Sequence, residues 1–399
     1  MLRDVFLAGG VRTPIGSFCG ALSEVPAPKL GAIAIKASLE RAQVPIDRVD
    51  EVVMGNVVGA GLGQNVARQC AIGAGLPLSI GATTVNRVCG SGLKAVMMAA
   101  QAIQLGEAGA VVAGGTESMS RAPYLLERAR TGYRMGNGDL IDSMIRDGLW
   151  DVYRQCHMGT CGDATAKSLK ISREEQDEYA IQSFKLAIEA AAQGWSGAEI
   201  VPVEVSDKKS KTLVSTDEGP SRFNEEKLRK LSPAFGAAGT VTAGNASSIN
   251  DGAAAITLLS SERCRELGLR PEARILGYTT FSTEPEWFTT APIDANRKLL
   301  AKIRMTPDQV DLFEVNEAFA VVVLALMKDL GLARDKVNPF GGAIALGHPI
   351  GASGCRTLVT MLNALRVRHQ RIGIVSLCVG GGEAVAMAIE RLQMGTVPF

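Results

Sequence analysis

Aromatic side chains, histidines and net charge are all scarce in this chain of 399 residues. Phe, Trp and Tyr together make up 5% of the sequence, and 42 basic residues against 41 acidic ones leave a formal charge of +1. A chain so close to neutrality presents no broad cationic surface, so we expect neither nucleic acid nor an anionic membrane as a partner. An anionic ligand would have to be held by a local site.

Long apolar runs are lacking as well. The most apolar helical stretch, AFAVVVLALM at residues 318–327, is far too short to cross a bilayer. Residues 1–14, MLRDVFLAGGVRTP, are typical of a strand and a turn and carry no features of a signal or transit peptide. We therefore expect a cytoplasmic protein.

The eight cysteines do not follow the spacing of a disulfide framework, and we expect them to be reduced. Cys156 and Cys161, with His157 between them, are similar to half of a zinc site. No second pair of ligands lies nearby, and the chain has three histidines in all. We therefore predict no metal site.

The sequence repeats itself. DRVDEVVMGNVV begins at residue 47 and DQVDLFEVNEAF begins 261 residues later. GSGLKAVMMAAQAI begins at residue 90, and its counterpart ASGCRTLVTMLNAL begins 262 residues later. A third pair, AGAVVAGGTES and RIGIVSLCVGGGEA, follows in the same order. A nearly constant offset over three segments predicts a duplicated domain.

Each half alternates Val-rich strands with helices rich in Ala, Leu and Met, which predicts a sheet covered by helices. The helix expected at residues 93–105 has almost no charge, so a helical layer shared by the two halves would give an α/β/α/β/α body. We expect residues 1–119 plus 250–270 to form the first half and residues 271–399 to form the second. Residues 120–249 have no counterpart and are predicted to be an inserted loop domain for ligand binding and oligomerisation.

Four polar side chains fall where strands of the two halves are expected to end. Cys89 precedes Gly-Ser-Gly and a helix, whose N-terminus would favour its thiolate, although a packing cysteine is the alternative interpretation. His348 lies in a glycine-rich, uncharged segment, and Cys378 opens a run of glycines. Asn316 has the position of an N-cap for the helix that follows it. If these strand ends meet, two thiols, an imidazole and an amide are typical of covalent acyl transfer.

Five motifs, in this order, give the sequence a recognisable pattern: NRVCGSGLKA, AGGTESMS, NEAFA, GGAIALGHPIGASG and CVGGGEA. Over essentially its whole length the chain resembles the thiolases, and it looks most similar to their acetyl-CoA acetyltransferase branch. The resemblance implies the thiolase-like fold of duplicated α/β halves. It also implies a reversible condensation of two acetyl-CoA molecules into acetoacetyl-CoA and CoA, with CoA as a substrate and no other cofactor.

The resemblance assigns a role to each catalytic position. Cys89 would carry the acyl group as a thioester, and His348 would take its proton. Cys378 would be the acid and base at the α-carbon of the second substrate. Asn316, through a water, and His348 would polarise the thioester carbonyl, and the N–H groups of Cys89 and Gly380 would form a second oxyanion hole.

The resemblance also implies the contacts to CoA and the assembly. Residues 121–139 are similar to the loop that joins thiolase dimers into tetramers, so a homotetramer is expected. A methionine beside the acyl group would fill volume that a long chain needs, which favours short substrates. The expected substrate contacts are Leu149, His157, Met158, Arg222, Ser247, Ala318 and Phe319.

Four alternatives compete with this interpretation. A decarboxylating ketoacyl synthase is disfavoured by the second thiol at Cys378. A nucleotide-binding dehydrogenase would use GNVVGAGLGQN at residues 55–65, but those glycines do not fit the G-x-G-x-x-G fingerprint. A non-catalytic acyl-CoA binding protein would not need all of Cys89, His348 and Cys378. Within the family, a thiolase of broad chain length is the nearest rival.

Overall fold

The computed structural model describes residues 2–206 and 210–392. Its strands are β1 Val5–Arg12, β2 Gly16–Ser17, β3 Glu51–Gly55, β4 Gly81–Val85, β5 Ala110–Ser118, β6 Tyr124–Leu125, β7 Ile141–Asp142, β8 Trp150–Asp151, β9 Cys156–His157, β10 Val203–Ser206, β11 Lys211–Val214, β12 Asn250–Ser260, β13 Ala273–Ser282, β14 Leu312–Val315, β15 Ile372–Val379 and β16 Glu383–Arg391. Its helices are α1 Ala27–Ala42, α2 Val66–Gly73, α3 Ser91–Leu105, α4 Met158–Leu169, α5 Arg173–Ala192, α6 Glu225–Arg229, α7 Ser261–Leu267, α8 Ala291–Ile303, α9 Ala320–Leu330, α10 Ala343–Leu346 and α11 Ile350–Val367.

Two sheets meet along one short seam. The first half contributes the strand order β4-β3-β5-β12-β1, and the second contributes β13-β16-β15-β14. The seam pairs Phe6 with Arg274 and Leu7 with Ala273, while the rest of β1 and β13 diverge. The first and second sheets are thus the two parts of one continuous ten-stranded sheet.

Helices α3 and α11 pack against each other between the two sheets. Helix α3 carries Lys94 as its only charged residue, so nearly all of its surface can be buried, as the sequence predicts. Helices α1 and α2 cover the outer face of the first sheet, and α8 and α9 cover the outer face of the second. The predicted α/β/α/β/α layering is confirmed.

The segment between β5 and β12 is built differently from either half. It consists of the short hairpins β6–β7, β8–β9 and β10–β11 around α4, α5 and α6. Helix α5 begins with a capping box of Ser172 and Glu175, in which each side chain bonds the other residue's backbone N–H. The helices α5 and α9 are in contact, so the segment packs on the second half.

The two halves align strand for strand at their parallel pairs. In the first half β3 runs beside β5 with Gly55 opposite Gly115. In the second half β14 runs beside β15 with Val315 opposite Ser376. Asn56 directly follows the first pair, and Asn316 directly follows β14 of the second.

Candidate active site

One cavity of about 310 Å³ brings most of the predicted residues together. Cys89, His348 and Gly380 line it, although they come from three separate parts of the chain. Six of the seven predicted substrate contacts line it as well: Leu149, His157, Met158, Ser247, Ala318 and Phe319.

Arg222 is the predicted contact that the structure does not bring to this cavity. It is exposed, and its Nη2 donates to Glu218 Oε1 at 3.2 Å, one turn earlier in the chain. An exposed pair of this kind contributes little to stability and leaves the side chain free to move. Arg222 therefore has the position of a surface residue in the ligand-free protein.

Cys89 lies on a strained turn between β4 and α3. Val88 has φ of +44°, which a β-branched residue rarely adopts, and Gly90 is the N-cap of α3. The Ser91 hydroxyl stabilises the turn: it accepts from Arg87 N at 2.8 Å and donates to Val88 O at 2.6 Å. The turn holds Cys89 at the cavity wall, close to the position that the sequence predicts.

The Cys89 thiol is protonated in the resting protein. Burial raises its pKa to about 11, while the backbone N–H groups of Gly380 and of Cys89 itself oppose the rise. The sequence-based expectation that the helix N-terminus alone favours a thiolate is therefore outweighed by desolvation. A base in the same cavity has to take the proton.

His348 has the properties of that base. Its Nδ1 lies 2.6 Å from Ser353 Oγ, and the Ser353 hydroxyl donates to Pro349 O at 2.9 Å. The hydroxyl hydrogen is thus engaged, so Ser353 accepts from Nδ1–H and the lone pair is on Nε2. Nε2 is buried and has no partner within the described protein. Burial, and then the charge of Arg356, lower the pKa of His348 to about 3, so the ring is neutral.

Cys378 is fully buried in β15, two residues before Gly380. Burial raises its pKa well above the usual range, and the nearby Cys89 raises it further. Cys378 is therefore near Cys89, although it is not among the residues that line the cavity. Either thiol can ionise only when the charge is balanced within the site.

Asn316 does not cap the following helix, and it is not among the residues that line the cavity. Helix α9 begins at Ala320 with Phe319 as its N-cap, three residues later than the N-cap expected at Asn316. The reason lies in the insertion: Ser247 N donates to Ala318 O at 2.9 Å, and Asn245 O accepts from Ala320 N at 2.8 Å. These bonds hold the chain extended through Ala318.

The amide of Asn316 is oriented by other contacts. Its backbone N–H donates to Ser376 O at 2.9 Å, and its Oδ1 lies 3.5 Å from Nη2 of Arg356. The side chain is fully buried, and Nδ2 has no partner within the described protein. Buried polar atoms are nearly always bonded, so Nδ2 is an available donor.

Glu117 was missed by the sequence reasoning, although it lies in the quoted motif AGGTESMS. Its carboxylate accepts from Asn56 Nδ2 at 2.8 Å, Val57 N at 3.0 Å and Gly351 N at 2.9 Å. Gly351 lies in the first turn of α11, three residues after His348. Glu117 therefore ties the end of β5 to the loop that carries the base.

Glu317 was missed as well. It accepts from Tyr179 Oη at 2.7 Å, Ser183 Oγ at 2.7 Å and Asn338 Nδ2 at 2.9 Å. Tyr179 and Ser183 belong to α5 of the insertion, and Asn338 precedes the His348 loop. An acidic residue inside the apolar run EVNEAFAVVV was the available signal, since a buried carboxylate needs donors around it.

Residues 2–206 and 210–392 contain no group of three or more His, Cys, Asp or Glu side chains arranged to hold a metal ion. Cys156 and Cys161 are free thiols. Over the same residues, the helices are all too short or too polar to cross a membrane.

Comparison with known proteins gives a consistent result. The thiolase N-terminal domain matches residues 5–262, and the thiolase C-terminal domain matches residues 269–391. The chain is 53% identical to acetyl-CoA acetyltransferase 2 of Arabidopsis thaliana over 98% of both chains. It superposes on the acetyl-CoA acetyltransferase of Bacillus anthracis with a TM-score of 0.96 and 41% identity, covering 98% of this chain and 99% of the other. The Acat5 thiolase of Ascaris suum, solved in complex with coenzyme A, gives a TM-score of 0.93 and 42% identity, covering 98% and 100%. The chain belongs to the thiolase family.

Proposed function

We propose that this protein is an acetyl-CoA C-acetyltransferase, which condenses two acetyl-CoA molecules reversibly into acetoacetyl-CoA and CoA through an acetyl-Cys89 intermediate. The observation that carries the proposal is that His348, which is neutral and has no partner for its Nε2 within the described protein, lines the same cavity as Cys89. A protonated thiol and a neutral imidazole are the starting pair for nucleophilic acyl transfer. The full-length similarity to acetyl-CoA acetyltransferases supports the same conclusion.

In the first half-reaction, the Cys89 S–H proton passes to His348 Nε2 as the sulfur attacks the thioester carbonyl of acetyl-CoA. The N–H groups of Cys89 and Gly380 receive the oxyanion of the tetrahedral intermediate. When the intermediate collapses, the bond to the CoA sulfur breaks, and His348 returns the proton to that sulfur. CoA leaves, and Cys89 carries the acetyl group.

In the second half-reaction, the Cys378 proton passes to His348, and the Cys378 thiolate removes a proton from the methyl group of the second acetyl-CoA. His348 Nε2–H, together with Asn316 Nδ2 through a water, stabilises the enolate oxygen. The enolate carbon attacks acetyl-Cys89, which forms the new C–C bond and expels the Cys89 sulfur. His348 then protonates Cys89, so every group returns to its starting state.

The cavity supports a preference for short acyl chains. Gly380 borders it, and a Cβ at this position would lie 3.3 Å from the methyl carbon of Met158. Met158 thus occupies space beside the proposed oxyanion hole. Each methylene that the cavity cannot accommodate is expected to raise the activation free energy by about 1–3 kcal/mol. The expected result is a steep fall in kcat/KM for CoA-dependent cleavage from 4- to 6- to 10-carbon 3-ketoacyl-CoAs. Comparable values for the 10-carbon substrate would instead favour the thiolase of broad chain length.

CoA binding is proposed to use the cavity-lining residues of the insertion. His157 stacks edge-on against Trp150, with ring centroids 5.0 Å apart, and Ser247 is fixed by its backbone bond to Ala318. Arg222 is kept as a proposed contact to the nucleotide end of CoA, since its exposed side chain can leave Glu218. Titrating CoA against Arg222→Ala tests this role, because an unchanged Kd would remove Arg222 from the site.

A homotetramer is proposed from the hairpin of β6 and β7. Five large hydrophobic residues on or beside this hairpin are exposed to solvent: Tyr124, Leu126, Tyr133, Met135 and Leu140. Exposed apolar groups concentrated in one segment are typical of an interaction surface. Sedimentation analysis of Leu126→Glu checks the assignment, since the proposal requires a smaller assembly than the parent.

The domain boundaries and the compartment remain proposals. β12, Asn250–Ser260, lies between β1 and β5, which supports adding residues 250–270 to the first half of residues 1–119. Residues 120–249 then form the inserted loop domain and residues 271–399 the second half. All eight cysteines are free, which supports a reducing compartment such as the cytoplasm.

A further inference from the structure

Arg356 takes no part in the steps above, yet it contacts the proposed oxyanion machinery. It is 1% exposed and belongs to α11, which begins two residues after His348. Its Nη1 donates to Glu314 Oε1 at 3.0 Å, and its Nη2 lies 3.5 Å from Asn316 Oδ1. Glu314 and Asn316 are two residues apart at the end of β14, so one guanidinium spans both side chains.

The guanidinium determines which end of the Asn316 amide can face it. An arginine side chain carries donors and no acceptor, so the amide oxygen is the atom it stabilises. Nδ2 is then the end of the amide that has no partner within the described protein. An amide turned the other way would set the Asn316 NH2 group against the N–H donors of Arg356, and it would offer no donor to the water through which Asn316 is proposed to act.

Glu314 fixes the guanidinium in turn. Both members of the pair are buried, with side-chain exposures of 2% for Arg356 and 1% for Glu314. A buried ion pair holds its geometry because leaving either charge alone is costly. The planar guanidinium can serve two acceptors at once, whereas a lysine ammonium at the same site is a single point charge.

We propose that Arg356 is a positioning residue for Asn316: anchored by Glu314, it holds the amide with Nδ2 available to the water that contacts the thioester oxygen of the substrate. The inference rests on the proposed oxyanion role of Asn316 and extends it to a residue that never touches the substrate. Acetylation of Cys89 uses the N–H groups of Cys89 and Gly380 instead. Arg356 is therefore required for making and breaking the C–C bond and is dispensable for acetylation.

A double-mutant cycle tests this requirement. Arg356→Met, Asn316→Ala and the double variant are compared at about pH 8, where His348 stays neutral with or without the arginine charge. Arg356→Met is expected to lower kcat for acetoacetyl-CoA thiolysis about 10- to 100-fold while slowing Cys89 acetylation less than about 3-fold. In the Asn316→Ala background the same change is expected to cost less than about 3-fold, because its effect passes through the missing amide.

Two control variants separate positioning from folding. Arg356→Lys keeps the charge and is expected to show the same selective loss even if Arg356→Met does not fold. Arg12→Lys is the matched control: Arg12 is 1% exposed, pairs with Glu199 and Asp217, and does not line the cavity. It is expected to lower Tm without changing the ratio of acetylation to thiolysis.

The outcomes distinguish this inference from the proposed function. The positioning role would be overturned if Arg356→Met slowed thiolysis equally in the wild-type and Asn316→Ala proteins. It would also be overturned if Arg356→Met slowed acetylation and thiolysis equally. Slow thiolysis in Asn316→Ala but normal thiolysis in Arg356→Lys would overturn it as well and leave the function standing. Full thiolysis activity in Asn316→Ala would remove the oxyanion role itself.

Discussion

The two halves of this molecule place different chemistry at equivalent strand ends. Asn56 follows β3 as Asn316 follows β14, and Glu117 lies two residues beyond the paired residue of β5 as Cys378 does in β15. In the first half, Asn56 donates a hydrogen bond to Glu117, and the Glu117 carboxylate accepts four hydrogen bonds from N–H groups in all. In the second half, Asn316 Nδ2 has no partner in the described protein.

This difference shows how one scaffold supplies both stability and chemistry. A saturated carboxylate such as Glu117 has no capacity left for a ligand, and it fixes the loops around it. Asn316 and His348 each keep one buried polar atom unpaired, which costs free energy in the ligand-free protein. Substrate atoms can bond to these atoms, so the proposed role of these two polar side chains in the second half is to contact the substrate.

The largest effect is expected from Cys378→Ala, which removes the proton-transfer group from the second half. Cleavage and formation of the C–C bond should fall by at least about a thousandfold, since a thioester α-proton cannot be removed without a base. Acetylation of Cys89 should persist, because His348 serves that step. Intact-mass measurement after mixing with acetyl-CoA should show one added acetyl group.

Cys89→Ala is the control for the site of that acetyl group. It should show no added mass under the same conditions. The proposed division of labour between the two thiols would be wrong if Cys378→Ala failed to acetylate, or if it retained C–C bond cleavage.

A smaller effect, a decrease of about a hundredfold in the alkylation rate of Cys89, is expected when its base His348 is removed. Because burial raises the pKa of Cys89 to about 11, its alkylation at neutral pH depends on proton transfer to His348. His348→Ala should therefore slow iodoacetamide labelling of Cys89 by that amount. Cys19, which is exposed, should label at an unchanged rate and provides the internal reference.

Peptide mapping after short labelling times measures both rates in one sample. Equal slowing at both cysteines would indicate a general change in the protein, and unchanged labelling of Cys89 would show that its thiol does not rely on the imidazole.

The comparison of the halves also explains what the sequence could predict. Cys89 follows β4 and Cys378 lies near the end of β15, as topology predicts, whereas His348 lies between α10 and α11 and not at the strand end expected for it. The start of α9 could not be predicted, because bonds from residues 245 and 247 of the insertion hold Asn316 and its neighbours extended. The sequence next to Asn316 does not indicate that residues 245 and 247 will bond to this segment.

The supporting network was hidden for a similar reason. The bond from Gly351 to Glu117 spans 234 residues, and the pairs of Arg356 with Glu314 and Asn316 depend on how α11 packs on β14. The pKa of Cys89 also depends on burial, which outweighs the helix N-terminus that the sequence displays. Motifs located the reacting groups, but tertiary contacts set their protonation states.

Substituting Glu117, which has all its hydrogen bonds, and Asn316, which has an unpaired Nδ2, is expected to have moderate effects on stability and on thiolysis. Glu117→Gln replaces an acceptor oxygen with an NH2 group that faces existing donors, so the free energy of unfolding should fall by about 1–3 kcal/mol. The ratio of acetylation to thiolysis rates should not change. Asn316→Ala should do the reverse, with slower thiolysis and a smaller loss of stability, because its amide makes few contacts.

Denaturant unfolding monitored beside the two half-reaction rates checks this contrast. A change in the rate ratio for Glu117→Gln, with a larger loss of stability for Asn316→Ala, would contradict the distinction between the saturated and the unsaturated strand end.

The smallest effect concerns pH and the unpaired atom of His348. Burial lowers its pKa to about 3, against about 6.5 in the unfolded chain, with the charge of Arg356 as the second cause. Between these pH values His348 is protonated in the unfolded state but not in the folded state. The free energy of unfolding therefore decreases as the pH falls below about 6.5. From about pH 7.5 to about pH 5.5, the wild type should lose about 1.4 kcal/mol relative to His348→Asn, which cannot titrate. Urea unfolding of both proteins at the two pH values measures the difference. Parallel pH dependence would mean that folded His348 accepts a proton as readily as an exposed histidine, which would contradict the neutral imidazole on which acetyl transfer to Cys89 depends.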